Sequence, residues 1–148
     1  SVRRIIYFSF ILLFTFSISI FSSDGAKRRG TLVVKFNGMS SDDGKVIIAL
    51  CNSDANYKDH KSPFIGKSIS INKNTATIEF EDLPFGEYAI KAFHDADANN
   101  DLNTNILGIP VEDYGFSNNA RSMFGPPSWQ DAKFLLKDDG KVVEIEIK

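Results

Sequence analysis

The sequence predicts an all-β fold, a seven-stranded antiparallel Greek-key sandwich carrying one long ordered loop. Three observations predict it. Apolar residues recur at every second position through seven short stretches, and no stretch sustains a helical period. The third is a segment of 37 residues between Phe93 and Asp131, which breaks the alternation without being of low complexity.

The chain of 148 residues is about one domain long, and its beginning does not read like the rest. Arg3 and Arg4 precede the 17-residue stretch Ile5 to Phe21, in which 13 residues are apolar and the other four are Ser or Thr. This is the charged and apolar pattern of a secretory signal. It is short against the ~20 residues that span a bilayer, and Lys27, Arg28 and Arg29 put positive charge on its other flank too. Residues 1–23 are therefore predicted to be a signal peptide cleaved after Ser19 or Ser23, residues 24–29 a polar lead, and residues 30–148 one domain. The expected location is the periplasm, the outer envelope or the medium, with no membrane span after cleavage. Cys51, the single cysteine, excludes an intramolecular disulfide and any zinc pattern that needs two thiolates.

The elements follow in order. Leu32, Val34 and Phe36 share one face of a first strand. The turn-rich Asn37 to Gly44 leads to Lys45–Cys51, with Val46, Ile48 and Leu50 on one side and Ile47, Ala49 and Cys51 on the other, a run buried on both faces. These two strands are expected to pair as a hairpin. Residues 68–71 and 75–81 read as short strands joined by Asn72, Lys73 and Asn74, with Ile78 and Phe80 facing in. Leu83, Pro84 and Gly86 turn the chain into the strand of Tyr88, Ile90 and Ala92. Ala132, Phe134 and Leu136 form the sixth strand, and after Asp138, Asp139 and Gly140 the residues Val143, Ile145 and Ile147 form the seventh. Val34, Tyr88, Ile90, Phe134 and Ile145 are predicted to be core.

From Gly30 onward the chain holds 12 basic and 18 acidic residues, a net −6, which excludes nucleic acid as a partner because phosphate binding needs clustered Lys and Arg. Residues 94–130 hold five acids and one Arg. Tyr114, Phe116, Phe124 and Trp129 stand in the same loop, so charge and aromatic surface are concentrated together.

Within that loop Asp95, Asp97, Asn99, Asp101 and Asn103 place an oxygen side chain at every second position. A hard divalent cation takes six to eight oxygens, and alternate side chains of a tightly curled loop converge on one point. The five residues match the first, third, fifth, seventh and ninth ligand places of an EF-hand-like loop. Ile106 stands at the twelfth place instead of Glu, and Asn100 at the sixth instead of Gly, although Asn tolerates the left-handed conformation. Glu112 or Asp113 is the candidate to complete a calcium site. The competing reading is a run of Asx turns in which the side chains bond their own backbone.

His94 reads as a ligand, a base paired with Asp95, or a strand-end histidine bonded to backbone. Adjacent residues of a strand point to opposite faces, so a dyad requires the strand to have ended. Cys51 and His60 make a poor nucleophile and base, since a thiol in an apolar strand is inert. No Ser-based elbow or phosphate-cradling Gly loop is present in the sequence.

Several motifs occur in a fixed order: Leu83-Pro84-Phe85-Gly86-Glu87-Tyr88-Ala89, His94-Asp95, Gly108-Ile109-Pro110-Val111-Glu112, Tyr114-Gly115-Phe116-Ser117-Asn118-Asn119 and Phe124-Gly125-Pro126-Pro127-Ser128-Trp129. On these residues the chain resembles the exported bacterial family catalogued as domain of unknown function 2141, over essentially all of residues 31–148. The Leu-Pro-x-Gly-x-Tyr turn is also similar to that of transthyretin-like and collagen-adhesin B-type sandwiches. The resemblance implies export and a sandwich scaffold, and it implies no activity. After the histidine the family runs Asp-x-Asn-x-Asn-Gly-x-Leu-Asp-Thr-Asn. Here Asp97, Asn100 and Asn103 depart from that pattern and Asp101 is an added acid, so oxygen positions survive while charges move. Phe85 stands for a usual proline and Trp129 for a usual phenylalanine.

The leading functional expectation is an exported, non-enzymatic module. Its acidic loop, ordered by calcium through Asp95, Asp97, Asn99, Asp101, Asn103 and Glu112, presents His94, Tyr114, Phe116, Asn118, Phe124 and Trp129 to an extracytoplasmic protein, peptide or glycan. One alternative is a metal-assisted hydrolase using His94 and the loop carboxylates. Another is a purely structural envelope module.

Overall fold

Alternation places Leu32, Val34 and Phe36 inside the first strand, and in the computed structural model, which describes residues 28–148, all three are buried at no more than 1% exposure. The predicted signal peptide and residues 24–27 of the polar lead lie outside the described residues. The fold is all-β, two sheets packed as a sandwich. Its strands are β1 (Arg29–Asn37), β2 (Lys45–Cys51), β3 (Ile65–Ser70), β4 (Ala76–Pro84), β5 (Gly86–Asp95), β6 (Tyr114–Phe116), β7 (Phe134–Leu136) and β8 (Lys141–Glu146). Two short helices, α1 (Asp54–Lys58) and α2 (Trp129–Ala132), complete it.

One sheet has the order β4-β1-β8 and the other β3-β2-β5, with β6 and β7 sharing the far edge of β5. Strand positions follow the sequence reading; strand partners do not. The expected hairpin of β1 and β2 does not form, because β1 pairs with β4 and β8 while β2 pairs with β3 and β5. The connection from Asn37 to Lys45 crosses between sheets, a step of about 10 Å that a run of this length spans easily. β3 and β4 likewise belong to opposite sheets, and only the Asn72–Thr75 bridge marks the corner. There Lys73 and Asn74 adopt positive φ, and the Asp42 carboxylate accepts both of their N–H groups at 2.8 and 2.6 Å. The β1–β8 pair is parallel, so the sandwich is mostly rather than wholly antiparallel. β6 adds a strand that aromatic loop composition had hidden, and Ala132 ends α2 instead of starting β7.

Between the sheets, Leu32, Val34, Phe36, Val46, Ile48, Leu50, Phe80, Tyr88, Ile90, Leu136, Ile145 and Ile147 form one apolar core. Phe134, expected there, is half-buried at its edge with the Lys141 ammonium over its ring. A second, smaller core lies on the outer face of β2 and β5. Cys51 and Ala89 pair across those strands, and Tyr57 of α1, Phe116, and Trp129 and Ala132 of α2 cover them. This second layer explains why β2 carries apolar residues on both faces.

Candidate functional site

β5 ends on His94 and Asp95, both buried. Asp95 sits opposite Lys45 and His94 opposite Val46, which places the two side chains on opposite faces of the sheet. They do not form a dyad. His94 Nε2 lies 2.8 Å from the Asp43 carbonyl oxygen, and the His94 backbone N–H donates to the Asp113 carbonyl. His94 thus ties two loops to the sheet, one through its ring and one through its backbone.

A carboxylate with no exposure needs partners to offset its desolvation. The chain supplies them by wrapping around Asp95. The Asn99 and Asn100 N–H groups each donate to one of its oxygens at 3.0 Å, and the Lys45 ammonium lies 3.9 Å away. The wrap requires left-handed backbone, found at Ala98 (φ +58°) and at Asn100 (φ +70°), the place an EF-hand-like loop gives to Gly. Gly44 permits the close approach from the other side, since a Cβ there would lie 1.9 Å from the Asp95 carbonyl oxygen.

Glu112 returns along the loop and clamps both of its ends. One oxygen accepts the Ala96 N–H and the other the Asn103 N–H, at 3.2 and 2.9 Å. Asp97 accepts the Asn99 N–H and the side-chain amides of Asn99 and Asn103. The Asn103 amide holds the Asp97 carboxyl below the ordinary carboxylate range, against burial, which acts in the other direction. In consequence one carboxylate oxygen from each of Asp95, Asp97 and Glu112 lies within 4.8 Å of the others, a group that could hold a metal ion.

Of the predicted oxygen set, the structure therefore brings Asp95, Asp97 and Glu112 together, with Asn99 and Asn103 bonded to Asp97. Asp101 is exposed and outside the group, its N–H bonded to the Asn99 side chain. Asp113 contributes only its carbonyl, to His94. Asx turns are present as well, at Asp97, Asn99 and Asn105, each accepting the N–H two residues on. Lys45 and Gly44 went unread in the sequence. Their signal is a Gly-Lys pair at a strand start, which shows no link to Asp95 until register is known.

The expected aromatic surface is largely interior. Phe116 and Trp129 are 7% exposed and belong to the second core, where Trp129 meets Tyr57 edge-on at 5.8 Å. Tyr114 is half-buried, edge-on to Phe116 and beneath the Arg121 guanidinium. Asn118 donates its amide to the Asp131 and Lys133 carbonyls, fastening the loop to α2. Phe124 alone is fully presented, next to Met123. The other exposed large apolar side chains of the loop are aliphatic: Leu102, Ile106, Leu107, Ile109 and Val111.

A cleft of about 530 Å³ lies beside α1 and α2, lined by Tyr57, Lys58, His60, Lys91, Pro127 and Trp129. Burial lowers the Lys91 pKa, and its ammonium is spent on the Tyr57 and Asp59 carbonyls. The Cys51 thiol beneath it is buried and pushed up by desolvation, against the nearby Lys91 charge. No helix of the described residues is long and apolar enough to cross a membrane.

A family profile described as an uncharacterized protein conserved in bacteria, DUF2141, matches residues 34–144. No curated protein and no solved structure matches the chain.

Proposed function

We propose a function from the site itself, because the chain belongs to the DUF2141 family of uncharacterised bacterial proteins and that membership carries no chemistry. The protein is an exported binding module whose long loop is set by a calcium ion, and it acts by presenting that loop. The observation that carries this reading is the group of Asp95, Asp97 and Glu112 oxygens within 4.8 Å. Three carboxylates held so close repel one another, and a divalent cation converts that repulsion into attraction. Calcium suits the donor set because it accepts carboxylate and amide oxygens in irregular geometry, whereas magnesium demands a tight octahedron and sheds water reluctantly. The Asn99 and Asn103 amides, which turn NH₂ groups to Asp97, offer oxygens to an ion after a half-turn of each amide.

Catalysis by His94 finds no support, since its Nε2 faces a backbone carbonyl and Asp95 lies on the other face of the sheet. The turn from Leu83 to Tyr88 is similar to that of transthyretin-like sandwiches, a likeness of scaffold that fits a module built to display loops. Isothermal calorimetry tests the reading. Calcium should bind one site per chain with measurable heat, and Asp97→Asn should weaken it at least roughly tenfold. Equal heats for the wild type and this variant would place any bound ion elsewhere.

A further inference from the structure

The two oxygens of Asp95 have different surroundings. Oδ1 accepts the Asn99 N–H at 3.0 Å, and the same N–H reaches Asp97 Oδ1 at 3.2 Å, so this oxygen is turned toward the carboxylate group. Oδ2 accepts the Asn100 N–H, also at 3.0 Å, and faces the Lys45 ammonium at 3.9 Å. Lys45 Nζ in turn donates to the Asn100 side-chain oxygen at 2.6 Å. The group therefore already has a cation beside it, carried by the first residue of β2. Among the described residues no other Lys, Arg or His forms an ion pair with Asp95, Asp97 or Glu112.

The two partners are not held alike. The Asp95 side chain has no exposure, whereas that of Lys45 is 26% exposed. Burial fixes the carboxylate, while the ammonium sits at the edge of water on a four-carbon stem that can swing out without moving the strand. Its grip on Asp95 is loose as well, since 3.9 Å is beyond hydrogen-bond reach and its short bond goes to a neutral amide. A divalent ion at Asp97, Glu112 and Asp95 Oδ1 would draw on the same Asp95 charge from the other side and repel the ammonium.

We infer that Lys45 is a tethered counter-cation, which holds the wrap in the absence of an ion and is released to solvent when calcium enters. The site then works by exchange of one cation for another. Coupling of this kind is reciprocal: the factor by which Lys45 weakens calcium binding is the factor by which calcium weakens the hold on Lys45. The inference rests on the calcium reading for the incoming ion, and the contacts of Lys45 stand without it. Lys45 is a positioning residue, acting through Asp95 and Asn100.

Two measurements on the full chain test it. In lysine acetylation read by mass spectrometry, Lys45 should be labelled several-fold faster with calcium than with chelator, while Lys35, exposed on the other sheet, keeps its rate. In calorimetry, Lys45→Met should bind calcium at least roughly tenfold more tightly than the wild type, and Lys45→Arg, which keeps the charge, should not. If the wild type binds calcium while Lys45 labelling stays unchanged, or while Lys45→Met binds it no more tightly, the proposal is overturned and the ion reading stands. Heat from Lys45→Met but not from the wild type supports the tethered cation and overturns the calcium reading of the native chain. No heat from either protein overturns both. Labelling needs no variant, so it decides the matter alone if Lys45→Met fails to fold.

Discussion

Ser117 is fully buried where β6 and β7 leave a gap along the edge of β5. Its hydroxyl accepts the Ile90 N–H at 2.9 Å and donates to the Ala132 carbonyl, so one side chain replaces a missing rung of the sheet. Ser117→Ala leaves both backbone groups unpaired and should cost about 1–3 kcal/mol in urea unfolding; a loss near zero would mean that water fills the gap. The sequence marked Ser117 only as part of a motif and gave it no role, because that role depends on where two three-residue strands end. Asp95 was marked, but its cost was not. Since its two oxygens cap Asn99 and Asn100, replacing it perturbs the ion-free fold, and Asp97 is the cleaner position to test. The depressed Asp97 pKa makes a further prediction. A carboxyl lower in the folded than in the unfolded state stabilises fully above the unfolded value of about 3.9, and that contribution disappears as pH falls through the folded value. Ion-free wild type should therefore lose more melting temperature than Asp97→Asn between about pH 4 and about pH 2. Parallel acid limbs would contradict it.

At the scale of elements, alternation located the strands and their inward faces, since burial on one side imposes period two wherever a sheet has a core. It could not say which strands pair. The stretch from Asn37 to Lys45 has the turn residues of a hairpin loop and yet crosses the sandwich. β6 was illegible for a related reason, because Tyr114-Gly115-Phe116 is too short to show a period and its aromatic residues resemble a display surface. The first and last residues of β7, which share a face, give a direct check on how deeply each enters the core. Leu136 is fully buried while Phe134 is half-buried beneath Lys141, so Leu136→Ala should cost about 2–5 kcal/mol. Phe134→Ala should cost less, despite removing more atoms. The reverse order in denaturant unfolding would show that Phe134, and not Leu136, sits deeper in the core.

At the scale of the molecule, two cores divide the labour. The inner one holds the sheets together, and the outer one fastens the helices and the aromatic half of the loop to β2 and β5. The acidic wrap and the aliphatic residues Ile106, Leu107, Ile109 and Val111 belong to neither core. The Asp/Asn spacing marked the stretch that forms the wrap, and of Glu112 and Asp113, the two carboxylates the sequence offered to it, Glu112 is the one that bonds its backbone. The exclusion of Asp101 was not legible, because spacing alone cannot show which way a curled backbone turns each side chain. The central claim is that calcium sets this loop, and a thermal melt addresses it most directly. A site of about 10⁻⁴ M affinity gains about 1.4 kcal/mol at a roughly tenfold excess of free ion, which raises the melting temperature by about 4–7 °C for a domain of this size. The account predicts that rise with calcium, its reversal by chelator, a much smaller response to magnesium and none in Asp97→Asn. A melting temperature unmoved by millimolar calcium would contradict it, and would leave the wrap as a chain of Asx turns.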